Sequence, residues 1–182
     1  MTALARNLIA ALFAAATLAG AAQAQQQPYA GQQAREIKSL SPEEIRQYLA
    51  GAGMGYAKSA ELNHYPGPGH ALELADQLGL NAEQRTAAKA LRDAHHAEAR
   101  AVGAKLVESE RALEQLFRSG RIEEEALARA VREAALLQGE YRLAHLETHR
   151  RTRALLTEQQ VARYDQLRGY GERPAAHHRA KH

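Results

Sequence analysis

Apolar and polar residues alternate with a helical period over two long segments, roughly residues 82–118 and 123–155. Residues 81–84 (NAEQ) form a capping signature that opens the first segment, and Ser119-Gly120 suits its end. At the usual rise per residue each helix would be about 50 Å long. Because only a short turn joins them, the two helices must run antiparallel. No segment has a strand pattern, so the sequence predicts an all-α protein built on a long antiparallel helical hairpin.

Shorter helices are expected to flank this hairpin. Residues 41–44 (SPEE) combine a capping serine, a proline suited to the first helical position and a capping-box glutamate, and they predict a helix to about Ala50. The glycines and prolines of the next segments, GAGMG and NHYPGPGH, indicate a loop without regular structure. A short helix then fits His70 to Leu78. Residues 157–160 (TEQQ) predict the cap of a last helix that ends at Gly169.

The two ends of the chain differ in composition from its middle. Arg6, an apolar run over residues 8–19 and the small residues of AQA at 22–24 are typical of a secretory signal, so residues 1–24 are predicted to be removed on export. Residues 25–40 are predicted to be a disordered lead-in, residues 41–170 the helical domain and residues 171–182 a disordered tail that contains histidines. No second long apolar run follows, and we expect no stable insertion into a membrane.

Charge and composition limit the partners. The formal net charge is +3, and it becomes +2 without residues 1–24, which contain one arginine and no acidic residue. Such a balance does not favour nucleic acid as a partner. The chain has no cysteine, so an exported domain must be held by packing, by assembly or by metal. Its abundant alanines give each helix little area to bury, which favours a dimer.

Four side chains on the predicted hairpin are candidate metal ligands. His145 and His149 lie one turn apart on the stripe of the second long helix that faces the first, and His95 and Glu98 lie on the matching stripe of the first. Folding the chain at its turn places His145 opposite position 96 and His149 opposite position 92. Imidazole and carboxylate ligands suit Zn²⁺, Ni²⁺, Co²⁺ or Cu²⁺. A seam of buried polar groups that hydrogen-bond to each other explains the same residues, and the sequence leaves both interpretations open.

Other motifs argue against an enzyme. The segment HLETH is not a zinc-protease motif, because Glu147 follows His145 by two residues and points away from the histidine pair. There is no recognisable nucleophile–base arrangement or phosphate-binding loop. His64 and His70 flank the YPGPG loop, either in solvent or as additional ligands. Leucines at 136 and 143 lie on the side of the helix opposite the histidines, and this second apolar strip suggests contact with short helices, a partner subunit or an unfolded client.

Two repeated motifs connect the chain to a known family. Residues 80–84 (LNAEQ) and 156–160 (LTEQQ) are similar to the Leu-Thr-x-x-Gln motif, and each is predicted at a helix start. With the export signal, the absence of cysteine and the helical hairpin, residues 50–170 resemble the Spy/CpxP superfamily, including its periplasmic heavy-metal sensor and zinc-resistance-associated branch. Asn81 replaces threonine in the first motif, which is compatible with capping. Beyond the signal, Met54 is the single methionine, which argues against a thioether-rich copper or nickel site.

The resemblance implies a cradle-shaped homodimer in the periplasm. It implies either protection of unfolded client proteins without ATP or a response to envelope or metal stress through a signalling partner. The first hypothesis is therefore a stress-response binding protein of the chaperone or envelope-stress modulator type, which requires no cofactor. The alternative is a sensor or resistance protein for a divalent metal such as zinc, nickel or cobalt, for which the resemblance places His and Glu ligands on the long helices.

Overall fold

The computed structural model describes residues 28–171. Residues 28–34 belong to one unit, in which the chain forms turns and the side-chain amide of Gln32 donates to the carbonyl of Pro28. The second unit begins at Arg35 and is built from helices. Within the described residues there is no strand, so the predicted all-α fold class is confirmed. The predicted signal at 1–24 and nearly all of the predicted tail lie outside the described residues.

Six helices follow one another in residues 35–171: α1 (Pro42–Ala50), α2 (Lys58–Glu61), α3 (Pro68–Glu73), α4 (Ala82–Arg118), α5 (Glu124–Leu155) and α6 (Glu158–Arg168). Helices α4 and α5 pack against each other as the predicted long hairpin. Two local predictions differ from the structure. The predicted unstructured loop contains the short helix α2. The helix predicted from His70 to Leu78 is α3, which begins at Pro68, a residue suited to the first turn, and ends at Glu73, so that residues 74–79 form turns.

Side chains cap the starts of three helices. Ser41, Asn81 and Thr157 each accept a hydrogen bond from the backbone N–H three residues later, and the side chain of that later residue accepts one from the cap backbone. These reciprocal bonds satisfy N–H groups that have no partner within a helix. All three capping boxes were predicted from the sequence, which explains why the starts of α1, α4 and α6 agree with it.

One hydrophobic cluster joins α1 to the middle of the hairpin. Gly103 of α4 makes this contact possible, since a Cβ atom there would lie 2.1 Å from the carbonyl oxygen of Tyr48. Ile37 is fully buried and Leu40 nearly so, which means that residues 35–40 pack with the helices although the sequence analysis assigned them to the lead-in. The cluster consists of Ile37, Leu40, Tyr48, Ala99, Leu106, Val107, Leu137 and Tyr141.

A second cluster joins α3 and α6 at the open end of the hairpin. The two motif leucines, Leu80 and Leu156, are both buried in it together with Tyr164 of α6. Beside them the side-chain amides of Gln84 and Gln160 exchange hydrogen bonds of 2.8 and 3.0 Å. Gln84 Nε2 also donates to the carbonyl of Leu155 at the end of α5. The two motifs therefore meet, and together they attach the starts of α4 and α6 to the end of α5.

Candidate functional site

A pair of histidines lies in the seam between the two long helices. His95 Nε2 and His145 Nδ1 are 2.8 Å apart. His145 is only 3% exposed, and the rings of Tyr56 and Tyr141 lie beside its imidazole. The register predicted from the sequence placed His145 opposite position 96, one residue from His95, and the structure brings His95 and His145 into contact.

Both members of this pair are held in the neutral form. Burial is the main cause, and the neighbouring histidines add to it, so that the pKa of His95 and that of His145 are each lowered to about 4. One ring nitrogen must donate and the other accept in their hydrogen bond, which two imidazolium rings cannot do. The other ring nitrogen of His145, Nε2, is buried and has no hydrogen-bond partner within the described residues.

His149, one turn further along α5, faces the loop between α2 and α3. Its Nδ1 lies 2.7 Å from the carbonyl oxygen of Tyr65 and 3.5 Å from Oε2 of Glu61. Gly67 is required beside the ring, because a Cβ atom there would lie 2.9 Å from Nε2 of His149. The loop thus encloses this histidine and holds it through contacts that the helical pattern alone did not predict.

Glu98 does not join the histidines in this structure. Its side chain is exposed, whereas the next residue, Ala99, is fully buried where the end of α1 approaches α4. Within residues 28–171 no three His, Asp or Glu side chains are grouped so that they could hold a metal ion. The proposed ligand set of His95, Glu98, His145 and His149 therefore remains a prediction, and as arranged here these residues form a histidine pair with two separate neighbours.

A half-buried carboxylate on α2, Glu61, connects the loop to α6. Tyr164 donates its hydroxyl to Oε1 of Glu61 at 2.5 Å, and burial together with this bond raises the pKa of Tyr164. The same oxygen lies 3.6 Å from Nε of Arg168 and 3.8 Å from Nδ1 of His70. A cleft of about 430 Å³ opens beside these groups. Sequence reasoning missed Glu61, because its partners come from three helices, α3, α5 and α6, that only the folded loop brings together.

The outer face of α5 carries an exposed apolar strip. Leu136 is 63% exposed and Leu143 is 62% exposed, one heptad apart on the side away from the histidine pair. Towards the end of the helix Leu143 and Leu146 form one wall of a groove of about 410 Å³, whose other wall includes Ala60 and Tyr65. Within the described chain the short helices do not cover the two exposed leucines, so the strip is open to a partner subunit or an unfolded client.

The structure defines a class of small helical-hairpin proteins in which two motif-bearing helix starts are joined through their glutamines. The model of the LTXXQ motif family matches residues 67–168, over half of the chain, and the protein belongs to this family, which is of the Spy/CpxP type. Proteins of this family are periplasmic. No helix within residues 28–171 is long and apolar enough to cross a membrane. Searches of curated proteins and of solved structures found no match.

Proposed function

We propose that this protein is a periplasmic stress-response binding protein that holds unfolded segments of other proteins without ATP. The observation that carries the proposal is the apolar strip on α5, with Leu136 and Leu143 exposed on a rigid helix. Large side chains left in water in this way mark a surface that gains from contact with another apolar surface. Each leucine that a client covers contributes roughly 2 kcal/mol of favourable burial.

The surroundings of the strip support binding rather than chemistry. No cofactor is needed to cover apolar side chains, and the strip lies on the opposite side of α5 from His145. Arginines and glutamates stand next to the leucines along α5, so a bound segment remains in contact with water at its edges. Such a surface exchanges clients readily, since each contact is small and no part of the client has to be enclosed.

Suppression of aggregation tests this function. A chemically unfolded client is diluted into buffer with and without the mature protein, and light scattering is followed over time. We expect suppression at a small molar excess without ATP, and its loss in Leu136→Ser/Leu143→Ser. Leu49→Ser is the matched control, because Leu49 is also exposed but lies on α1. Unchanged scattering at several-fold excess of the wild-type protein would refute the proposal.

A metal response is the second candidate function. The buried, unpartnered Nε2 of His145 favours it, together with the contact between His145 and His95 and the position of His149 one turn away. Imidazole nitrogens suit zinc, nickel or cobalt. Because the four predicted ligands are not grouped as a metal site in this structure, binding would require Glu98 and His149 to change position.

Calorimetric titration with zinc and with nickel tests the metal proposal. The tail histidines, His177, His178 and His182, are replaced in every protein so that they do not contribute. Tight binding at a fixed ratio that disappears in His145→Ala/His149→Ala would support a site in the seam. The same affinity in this double variant as in its parent would eliminate the site.

Assembly is part of the proposal as well. Family members are usually oligomeric, and we propose a homodimer in which the hairpins form a cradle. The abundance of alanine on both long helices supports this, because a single hairpin buries little apolar area. Sedimentation equilibrium of the mature protein measures the state directly, and a monomer at all concentrations would contradict it.

A further inference from the structure

The exposed strip of α5 has the arrangement of one half of a coiled coil. Leu136 and Leu143 are seven residues apart, and Gly139 and Leu146, each three residues after one of these leucines, are also seven residues apart. Positions spaced by three and four in this way form a continuous seam on one side of a helix. On the outer face of α5 no helix of the described chain covers Leu136 and Leu143, and α2 lies beside the seam only at its Leu146 end.

One side of the seam is lined by acidic residues with the same spacing. Glu133, Glu140 and Glu147 follow each other at seven-residue intervals, at the positions that flank a coiled-coil seam. Glu147 is paired with Arg150 at 2.7 Å. Glu133 and Glu140 are exposed and have no ion pair in the described part of the chain. The unneutralised charge of the flank therefore lies beside Leu136 and Leu143.

The exposed glycine in the seam is a second, independent observation. Gly139 lies in the middle of α5, and a Cβ atom there would meet nothing within 4 Å. Glycine weakens a helix interior relative to alanine, and no contact of the described chain explains it here. A notch between two leucines lets the backbone or a large side chain of a partner approach the helix closely.

Arginines mark both ends of the acidic flank. Arg129 and Arg132 precede it, and Arg150 follows it. The stretch from Glu133 to Glu147 is about 21 Å long at the helical rise, so it accepts a segment of roughly 15 residues if that segment is helical. Two antiparallel copies of α5 would bring their acidic flanks together, and like charges in that position repel. This charge pattern disfavours an antiparallel second copy of the chain and favours a cationic partner along the acidic flank.

We propose that the outer face of α5 binds polypeptide segments in which apolar side chains at helical spacing are flanked by lysine or arginine. This inference rests on the proposed function and specifies the class of client. The apolar side chains of the segment pack on Leu136 and Leu143 across the notch at Gly139, and its cations lie beside Glu133 and Glu140. The groove between Leu146 and Tyr65 receives a side chain at the end of the segment.

Two labelled synthetic peptides test the inference with the mature protein. Both have about 15 residues and the same leucines at heptad spacing; one carries lysine and the other glutamate at the flanking positions. Fluorescence anisotropy titrations should show the cationic peptide binding roughly tenfold more tightly at low salt, with a smaller preference at about 0.5 M salt. Glu133→Gln/Glu140→Gln should remove most of this preference. The matched control, Glu73→Gln/Glu83→Gln, changes the net charge equally on other helices and should retain it.

Gly139→Ala distinguishes a role of this glycine in binding from a role in stability. It should weaken binding of the cationic peptide several-fold while the helix content and the melting temperature do not fall. Equal or tighter binding in this variant would overturn the role of the notch, and equal binding of the two peptides would overturn the charge preference. If both peptides bind equally and Leu136→Ser/Leu143→Ser abolishes both, the proposed function stands and this inference fails. If neither peptide binds and the same double variant converts a dimer to a monomer, a second copy covers the strip and both fail.

Discussion

The side chain of Gln84 is hydrogen-bonded to that of Gln160, although 76 residues separate them in the chain. Each glutamine also accepts a hydrogen bond from the backbone N–H of its own helix cap. One amide pair thus caps α4 and α6 and joins them. In each copy of the family motif the glutamine therefore both caps its own helix and binds the glutamine of the other copy.

Gln160→Ala should destabilise the protein. It removes one side of the amide pair and one half of a capping box, which together are worth roughly 1–3 kcal/mol. Gln159→Ala is the control, because Gln159 is exposed in the same motif and should change stability by less than about 0.5 kcal/mol. Urea unfolding followed by circular dichroism measures both, and equal effects would contradict the role assigned to Gln160.

Gly103→Ala and Gly139→Ala should act in opposite directions. A Cβ atom at Gly103 would overlap the carbonyl oxygen of Tyr48, so α1 must move away from α4, at a cost of roughly 1–3 kcal/mol or more. A Cβ atom at Gly139 meets nothing, and the better helix propensity of alanine should stabilise the protein by about 0.5–1 kcal/mol. Melting temperatures of the two variants check this, and a destabilising Gly139→Ala would show a contact that the described chain lacks.

Stability should fall as the pH falls from about 6.5 to about 4. The pKa of His95 and of His145 is near 4 in the folded protein, whereas an unfolded histidine titrates near 6.5. The unfolded chain therefore binds more protons between these two values, so the stabilisation is complete above pH 6.5 and is lost on acidification. Unfolding free energies measured across this range should show the slope.

The double variant His95→Gln/His145→Gln should flatten that slope, and His96→Gln, an exposed neighbour, should leave it largely unchanged. The comparison is made between slopes, so a general loss of stability in the double variant does not obscure it. A wild-type protein with no pH dependence between these values would show that the pair is not held neutral.

The hairpin, its three capped helix starts and the contact between His95 and His145 could be predicted because they depend on local patterns and on a short turn. The position of Glu98 could not. The predicted inward stripe of α4, which includes Glu98, follows the apolar residues of that helix. In the structure α1 packs against the small residues Ala99 and Gly103, so the buried face of α4 lies one position away from Glu98. The loop partners of His149 could not be predicted from the sequence either, since Glu61 and Gly67 contact this histidine only after the loop has folded.

We propose that unfolded polypeptide binds along the outer face of α5. Photo-crosslinking tests it most directly, with a photoreactive residue placed at Leu136 or Leu143 and, as the control, at Leu49 on α1. We expect crosslinks from both α5 positions to an unfolded client, none to the same client when folded, and few from position 49. Equal crosslinking from all three positions, or crosslinks to the folded client, would contradict it.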